Sequence, residues 1–480
     1  MSQESLKQKT VNGVVWSSID NFAALGISFV FSIILARILS PEDYGTIALL
    51  TIFISVSNAF INSGFSHALI RKPDLTERDN STAFYFNIVV GFVCYFIIYL
   101  IAPLVARFYN LPIITPLLRV VGLTVIFSSL AIVQQAQLTI RIDFKKQAVI
   151  SVTSAILSGG VGLFFALKGF GVWSLAFHQV SSGLIRTILF WCIVKWRPRE
   201  KFSKESFRYL FGFGSKLLAV GLIDEIWKNL YSIIIGKFFS PASLGLYSRA
   251  HTFASLPSSN LTNVLQRVTF PVLSKIQNDD ERLALNYRKL LKMSAFVIFP
   301  VMTGLAALAK PVVLILLTEK WEACIIYLQI LCFSLMWLPI HAINLNLLQV
   351  KGRSDLFLKL EIIKKIMLVV VLAVTIRFGL VVMCFGQIIS SLFGLIINTY
   401  YTGKLIKVGF LMQMKDLLPT LIVSILMCVG VYLITLVLPN YWFQLIVGFA
   451  IGVIFYFSVA RIRKAEELKE VINILKKNNY

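Results

Sequence analysis

Long apolar stretches separated by short polar segments recur along the whole chain. A helix needs about 20 apolar residues to cross the hydrocarbon of a bilayer. Stretches of that kind are predicted at 14–36, 44–70, 82–106, 112–135, 147–167, 171–194, 209–236, 244–272, 290–317, 323–350, 358–376, 379–401, 417–438 and 442–460. The period-2 alternation of a membrane barrel is missing. The pattern therefore predicts an all-α integral membrane protein of about fourteen transmembrane helices.

Composition supports this fold class. Of the 480 residues, 57% are apolar and 14% are charged, and the mean hydropathy is +0.80. A soluble protein of this length has too small an interior to bury that much apolar surface. The formal net charge of +23 lies in short clusters between spans, so we expect no nucleic-acid partner. The six cysteines lie in apolar stretches and show no metal-ligand spacing.

The placement of lysine and arginine predicts the orientation. The N-terminal segment and every second connection after it, including the C-terminal tail, hold 33 of the 46 Lys and Arg residues. The alternate connections hold 8, and the rest lie within spans. Because cytoplasmic loops carry the positive excess, both termini are predicted to be cytoplasmic. All predicted outside connections are short, which argues against an enzyme that carries its active site on an extramembrane domain.

An internal repeat appears at an offset near 200 residues. Arg37, Ser40-Pro41 and Gly45 follow span one, and the same order of a cation, Ser-Pro and glycine recurs at 237–245 after span seven. A second match relates 171–179 to 379–387. Each repeat then contains an even number of spans, so both copies enter the membrane from the same side. We expect two six-helix lobes related by a pseudo-twofold axis along the membrane normal, with a site between them.

These repeats predict the domain organisation. Residues 1–200 form an N-terminal lobe of spans one to six, and residues 201–405 form a C-terminal lobe of spans seven to twelve. Residues 406–480 hold spans thirteen and fourteen and a cytoplasmic tail.

Span eight is the most polar span. Arg249, Asn260, Asn263 and Arg267 fall within about 40° of one another on a straight helix. A charge at the bilayer centre costs at least ~2.5–3.5 kcal/mol, so this stripe favours the wall of an aqueous cavity. The alternative is that both arginines snorkel to opposite interfaces. The repeat places His67 at the position of Arg267, as another candidate cation.

Spans six and seven carry further candidates. Arg186 lies near the middle of span six, on the same helical face as Gln179; it faces either a cavity or a structural ion partner. Asp224 and Lys228 of span seven have the spacing of a local pair, with Glu225 beside them.

Span one supplies the last candidate. Asp20 lies about one turn further from its Ser-Pro motif than Asp224 lies from the second motif. Asp20, Asp224 and Glu225 are therefore candidates for a gate or a coupling-ion site, unless Asp224 and Lys228 only neutralise each other. Basic candidates outnumber unpaired acids, so the predicted cavity suits an anionic passenger. Arginine in particular binds phosphate through its fork of donors.

Three stretches resemble a known family: residues 33–45 at the first hairpin, 141–146 before span five, and 169–175 at the start of span six. They are similar to the polysaccharide transporter family of the multidrug/oligosaccharidyl-lipid/polysaccharide exporter superfamily. The likeness covers nearly the whole chain and is strongest to Wzx-type flippases, in the branch that contains colanic-acid exporters. These motifs lie in hairpins and linkers, so they indicate the family better than they indicate the passenger.

The resemblance implies transport of an undecaprenyl-diphosphate-linked oligosaccharide across the bacterial inner membrane for surface polysaccharide biosynthesis. It implies alternating access of two lobes about a cationic cavity. It also makes membrane lipids and the polysaccharide polymerase machinery candidate partners, and it implies no cofactor and no metal.

Three alternatives remain. A purely structural membrane scaffold would not explain Arg186 within span six or the polar stripe of span eight. A multidrug or cationic-metabolite antiporter of the same superfamily would prefer carboxylates in its cavity. A polymerase or glycosyltransferase would need a sizeable extramembrane site, which the short outside connections do not provide.

Overall fold

The computed structural model describes residue 16 and residues 23–62, 68–70, 72 and 74–477, and this part of the chain is helical and contains no strand. The helices, numbered α1 to α17 in chain order, are Ala23–Ile38, Pro41–Asn62, Glu77–Tyr109, Ile114–Ile140, Phe144–Leu167, Val172–Ile193, Lys204–Phe238, Pro241–Ser274, Asp280–Ala307, Ala309–Leu317, Cys324–Leu335, Leu338–Val350, Ser354–Thr375, Leu380–Ile406, Phe410–Val437, Tyr441–Ile462 and Glu466–Lys477.

Each of the fourteen predicted spans corresponds to a helix or to a pair of consecutive helices, so the predicted all-α membrane fold is confirmed. Residues 14–15 and 17–22 of the first predicted span and residues 63–67 of the second lie outside the described residues. Within the described chain, nine helical segments are long and apolar enough to cross a membrane. Helices α6, α7, α8 and α13 have the length but are more polar. Polar residues in helices of this length are rare in membranes and mark functional positions.

Two predicted spans, the ninth and the tenth, are each divided in two by a proline. A proline ring clashes with the carbonyl group four residues earlier and ends the helix there. Pro311 lies four residues after Ala307, the last residue of α9. Pro339 lies four residues after Leu335, the last residue of α11. Both apolar stretches are present as predicted, and the helix in each is interrupted just before the proline, whereas Pro300 lies inside the continuous α9.

The described chain forms two compact units. Unit 1 comprises Met1–Gly245 and therefore contains α1 to α7 and the first turn of α8. Unit 2 comprises Leu246–Tyr480 and contains the rest of α8 and all later helices. The lobe boundaries expected at residues 200 and 405 stay a prediction.

The two Ser-Pro motifs of the repeat form the same local structure in unit 1. Ser40 caps α2, because its hydroxyl accepts a hydrogen bond of 3.2 Å from the Asp43 amide. Ser240 caps α8 in the same way, accepting 3.2 Å from the Ser243 amide. In both motifs the next residue is a proline at the first helical position, where its missing N–H costs nothing. The repeated sequence therefore encodes a repeated helix start.

The glycines of the two motifs bring α2 and α8 into direct backbone contact within unit 1. A Cβ atom added to Gly45 would lie 1.6 Å from the Pro241 carbonyl oxygen. A Cβ atom added to Gly245 would lie 1.8 Å from the Pro41 carbonyl oxygen. The contacts are reciprocal, as a local twofold relation between the motifs requires. Only glycine fits at either position, which gives the repeated glycine a physical reason.

The stretch at 141–146 that supports the family resemblance is also a helix start. Asp143 caps α5 by accepting 3.2 Å from the Lys146 amide, and its carboxylate pairs with the Lys146 ammonium at 2.7 Å. Burial alone would raise the pKa of Asp143, but the hydrogen bonds from Lys146 outweigh it and lower the pKa. The preceding residue, Ile142, has a φ of +58°, so the turn is tight.

Polar contacts tie the helices of unit 2 together. The buried Tyr287 hydroxyl on α9 donates 2.8 Å to the Asn344 side chain on α12 and accepts 3.1 Å from Gln413 on α15. One residue further along α9, Arg288 donates two hydrogen bonds, of 2.7 and 2.8 Å, to Asp416 on α15. Buried side chains of this kind must be bonded, because an unpaired polar group in an apolar interior is costly.

The Gly45 contact predicts that alanine destabilises the protein at Gly45 and not at a glycine that lacks such a contact. We expect Gly45→Ala to destabilise the protein by about 1–3 kcal/mol, because the new methyl group collides with a backbone carbonyl that cannot rotate away. Gly160→Ala is the matched control, since nothing lies within 4 Å of its added Cβ; alanine there should be neutral or slightly stabilising. Thermal unfolding of both purified variants in detergent measures the difference. Equal unfolding midpoints would contradict the contact.

Candidate functional site

Helix α6 carries the predicted Arg186 and is held against α4 by two side chains. The Thr187 hydroxyl donates 2.8 Å to the Phe127 carbonyl oxygen. The Trp191 indole donates 2.9 Å to the Leu130 carbonyl oxygen. A helix carbonyl has a second lone pair that can accept such a bond. Because both anchors lie within five residues of Arg186, they fix the rotation of α6 at that level.

Arg186 is exposed in unit 1 and has an amide close to it. Its Nη2 atom lies 3.5 Å from the Gln135 Oε1 atom on α4, a long hydrogen bond. Its guanidinium group lies 5.7 Å from the centre of the Phe190 ring, within the range of a cation–π contact. Gln179, half-buried, lies two turns earlier on the same face of the same continuous helix. An arginine beside an amide presents hydrogen-bond donors and a positive charge on one surface.

The group predicted on span seven lies on α7, with a different pairing. Lys228 pairs with Glu225, with 3.3 Å between Nζ and Oε1, and not in the Asp224–Lys228 arrangement considered from the sequence. Glu225 is held further by its backbone carbonyl, which accepts 2.8 Å from Asn229. Both Asp224 and Lys228 are exposed in unit 1. On a helix both i,i+3 and i,i+4 neighbours are within reach, so spacing alone did not decide between the two acids.

The polar stripe predicted on span eight lies on α8, in unit 2, and its last three members, Asn260, Asn263 and Arg267, lie away from the packed side of that helix. The packed side is marked by two hydrogen bonds. Tyr247 accepts 2.7 Å from Gln387 on α14, and Ser258 donates 2.6 Å to the Leu335 carbonyl oxygen on α11. Asn260 and Arg267 lie roughly 180–200° around the helix from Ser258.

The members of this stripe do not share one environment. Asn263 and Arg267 are exposed and Asn260 is half-buried. Arg249 is 6% exposed, with its guanidinium group 5.9 Å from the centre of the buried Trp321 ring. Pro257 lies inside α8 between Arg249 and the others, and an internal proline interrupts the helix ladder. The predicted alignment of Arg249 with the other three residues holds only for a straight helix.

Two predicted residues, Asp20 and His67, lie outside the described residues. The other candidates divide between the units. Gln179, Arg186, Asp224, Glu225 and Lys228 belong to unit 1, and Arg249, Asn260, Asn263 and Arg267 belong to unit 2.

A polar cluster in unit 2 was not among the predicted sites. His341 on α12 has its Nε2 atom 3.2 Å from the Ser391 hydroxyl and its Nδ1 atom 3.2 Å from the Asn398 amide, both on α14. Nearby on α13, Lys364 forms an ion pair with Glu361. The sequence signal for this cluster is the pair of opposite charges, Glu361 and Lys364, that lie three residues apart within an apolar stretch. Among the described residues, no group of three His, Cys, Asp or Glu side chains could hold a metal ion.

Comparison with known proteins agrees with this architecture. The family model described as polysaccharide biosynthesis protein matches residues 34–326. The lipopolysaccharide biosynthesis protein WzxC of Escherichia coli is 25% identical over 94% of this chain and 89% of its own length. The succinoglycan biosynthesis transport protein ExoT of Rhizobium meliloti is 27% identical over 66% of this chain and 64% of its own length.

Among solved structures, the lipid II flippase MurJ in an inward closed conformation has the same fold. Its TM-score is 0.76, at 15% identity, over 94% of this chain and 98% of MurJ. That similarity shows the fold, and the family follows from the sequence match over more than half of the chain. The protein therefore belongs to the polysaccharide biosynthesis family, as a multi-pass membrane protein of the polysaccharide transporter type.

Proposed function

We propose that this protein is a flippase that moves an oligosaccharide linked to undecaprenyl diphosphate from the cytoplasmic to the periplasmic leaflet of the bacterial inner membrane. Its product would supply surface polysaccharide biosynthesis. The observation that carries the proposal is the likeness of nearly the whole chain to a lipopolysaccharide biosynthesis protein, on the fold of a lipid II flippase. In this orientation both termini lie in the cytoplasm.

The chemistry of the passenger explains why a protein is needed. The diphosphate and the sugars are strongly hydrated and cannot enter hydrocarbon, whereas the polyprenyl tail can remain in lipid. A route open sideways to the bilayer and lined by cations and amides serves both parts. An inside-negative potential favours outward movement of an anion by ~2.3 kcal/mol per charge per 100 mV. That gain holds as long as the empty protein does not carry a compensating charge across the membrane when it returns to its starting conformation.

Arginine and amide side chains supply the recognition in this proposal. Arg186, with Gln179 on the same face of α6, is the candidate that binds the diphosphate, and Arg267 on α8 is a further candidate cation for it. Asn260 and Asn263 bond sugar hydroxyl groups. Lys228, Arg249 and His67 add positive charge along the route.

The acidic candidates act as a gate. Lys228 is paired with Glu225 in this structure, and exchange of that pair for the substrate phosphate would open the route. Asp224 and Asp20 are the further gating or coupling candidates. The polymerase machinery that consumes the exported unit is the expected functional partner, and neither a cofactor nor nucleic acid takes part.

Deletion of the gene tests the direction of transport. We expect lipid-linked oligosaccharide to accumulate on the cytoplasmic face of the inner membrane, because the unit is made there and cannot cross unaided. Accessibility of the glycan to a membrane-impermeant glycosidase, compared between spheroplasts and inverted vesicles, reports the face. Build-up of unpolymerised units on the periplasmic face would identify a polymerase instead. Unchanged polysaccharide with new drug sensitivity would identify a multidrug antiporter.

Substitution of Arg186 tests the binding route. Loss of a hydrogen-bonded charge lowers binding by about 10- to 100-fold, so Arg186→Ala should reduce export in a deletion strain by a similar factor. Arg186→Lys should restore part of it, since lysine keeps the charge but loses the fork. Arg377→Ala, which removes a cation from an outside connection, is the matched control.

All three variants must be present in the membrane at equal amounts, measured by quantitative blotting of an epitope tag. Export by Arg186→Ala at the level of the control would exclude Arg186 from the substrate route.

A further inference from the structure

A second basic site lies in unit 1, at the place where α3 and α7 begin. It is a cavity of about 800 Å³. Its lining residues are Lys72, Thr76, Arg78, Asp79, Ser203, Lys204, Glu205, Ser206, Arg208 and Tyr209. The sequence segments that form it are more than a hundred residues apart, and none of these side chains was a candidate for the transport route.

The walls of this cavity are fastened to each other. The linker before α7 is held on the first turns of α3 by three hydrogen bonds. The Trp196 indole donates 2.9 Å to the Glu77 carboxylate. The amides of Glu200 and Ser203 donate 3.3 and 3.0 Å to the hydroxyl groups of Ser81 and Thr82. A cavity with bonded walls is a formed site and not a chance gap between loops.

The electrostatics of the cavity favour an anion. Four of the lining residues are basic and two are acidic. One of the acids, Asp79, is buried, pairs with Lys72 at 2.7 Å and accepts a hydrogen bond from the Thr76 hydroxyl. The remaining cations, Arg78, Lys204 and Arg208, are exposed. The helix N-termini at Thr76 and Ser203 add partial positive charge to the same space.

Aromatic side chains place the cavity at the membrane surface. Tyr209 lines it and is 51% exposed, and the neighbouring Phe202 and Phe211 are 49% and 43% exposed. Aromatic residues at the end of a span lie at the level of the lipid headgroups. The predicted span of α7 begins at residue 209, so the basic groups lie just outside the hydrocarbon.

We infer that this cavity binds the phosphate headgroup of an anionic phospholipid from the leaflet on the side of the N-termini of α3 and α7. Exposed cations beside apolar aromatics, at headgroup depth, match a lipid that has a phosphate outside the hydrocarbon and chains within it. None of its lining residues belongs to the proposed transport route, and the site would keep a lipid beside the linker that joins α6 to α7.

The strength of the site favours an abundant lipid. Each lysine or arginine at an anionic membrane surface strengthens binding about fivefold, so three exposed cations, offset by the exposed Glu205, supply about a 30-fold preference. That preference keeps the site occupied by a lipid that makes up much of the leaflet. It is too weak to collect a scarce polyprenyl diphosphate from among such lipids. The polyprenyl diphosphate is nevertheless the other source of the same phosphate chemistry, and the experiment separates the two.

Native mass spectrometry of the purified full-length protein can measure its affinity for each of these lipids. Phosphatidylglycerol, phosphatidylcholine and undecaprenyl diphosphate are titrated separately, and the affinity for the first bound lipid is compared. We expect the triple variant Arg78→Gln, Lys204→Gln, Arg208→Gln to lose at least about tenfold in phosphatidylglycerol affinity, with phosphatidylcholine unchanged. The wild-type preference should also weaken with added salt.

Two further variants make the result specific. The control Lys275→Gln, Arg461→Gln, Lys469→Gln removes the same charge from exposed positions outside the cavity, and it should keep the wild-type affinity. Glu205→Gln removes an acid from the cavity wall and should raise the affinity about fivefold, a gain that misfolding does not produce.

Three results would overturn the inference. The triple variant and Glu205→Gln could both bind phosphatidylglycerol as the wild type does. The control could lose as much affinity as the triple variant. The triple variant could lose undecaprenyl diphosphate alone, which would assign the cavity to the transported lipid.

Discussion

A bilayer offers the polypeptide backbone no water, so every amide and carbonyl group inside it must find a partner within the protein. The described chain meets this constraint with helices throughout. The carbonyl oxygens of these helices then serve a second purpose, because each has a lone pair left after its helical bond. Thr187 and Trp191 on α6 use such oxygens on α4. Ser258 on α8 donates instead to the Leu335 carbonyl, which has no helical donor because Pro339 lacks an N–H.

These anchors decide which way the polar residues face. The two on α6 hold it against α4 and leave Arg186 exposed beside Gln135. The anchor on α8 turns one side of that helix into unit 2 and leaves Arg267 on the opposite side. A charged side chain is costly in hydrocarbon, so a helix that carries one needs its rotation fixed. The polar helices of this protein are therefore the ones whose rotation must be fixed by bonds to their neighbours.

Glycine allows two helix backbones to pack in direct contact. Without a hydrophobic difference between lipid and protein interior, membrane helices associate through close packing. The contact between Gly45 and the second motif at Gly245 is the closest form of such packing, because backbone meets backbone. The repeated glycine is thus explained by a contact that each copy makes with the other. The cavity at the start of α3 and α7 also depends on close packing, because the linker between α6 and α7 is hydrogen-bonded directly to α3.

The sequence by itself determined the spans, the repeat and the family. Hydrophobic length is a local property, and capping serines and prolines act on their own neighbours, so both could be read without coordinates. The breaks before Pro311 and Pro339 do not follow from the proline rule alone, because Pro300 and Pro419 lie inside unbroken helices. The polar faces of α6 and α8 followed from helix periodicity, which holds as far as a helix is straight.

Only the tertiary structure decided which side chains contact one another. The pairing of Lys228 with Glu225, the burial of Arg249 against Trp321 and the contact of Arg186 with Gln135 depend on rotamers and on neighbouring helices. Lys72 and Lys204 meet at one cavity although the sequence between them crosses the membrane several times. Contacts between distant segments are set by how whole helices pack, and local residue chemistry does not contain that information.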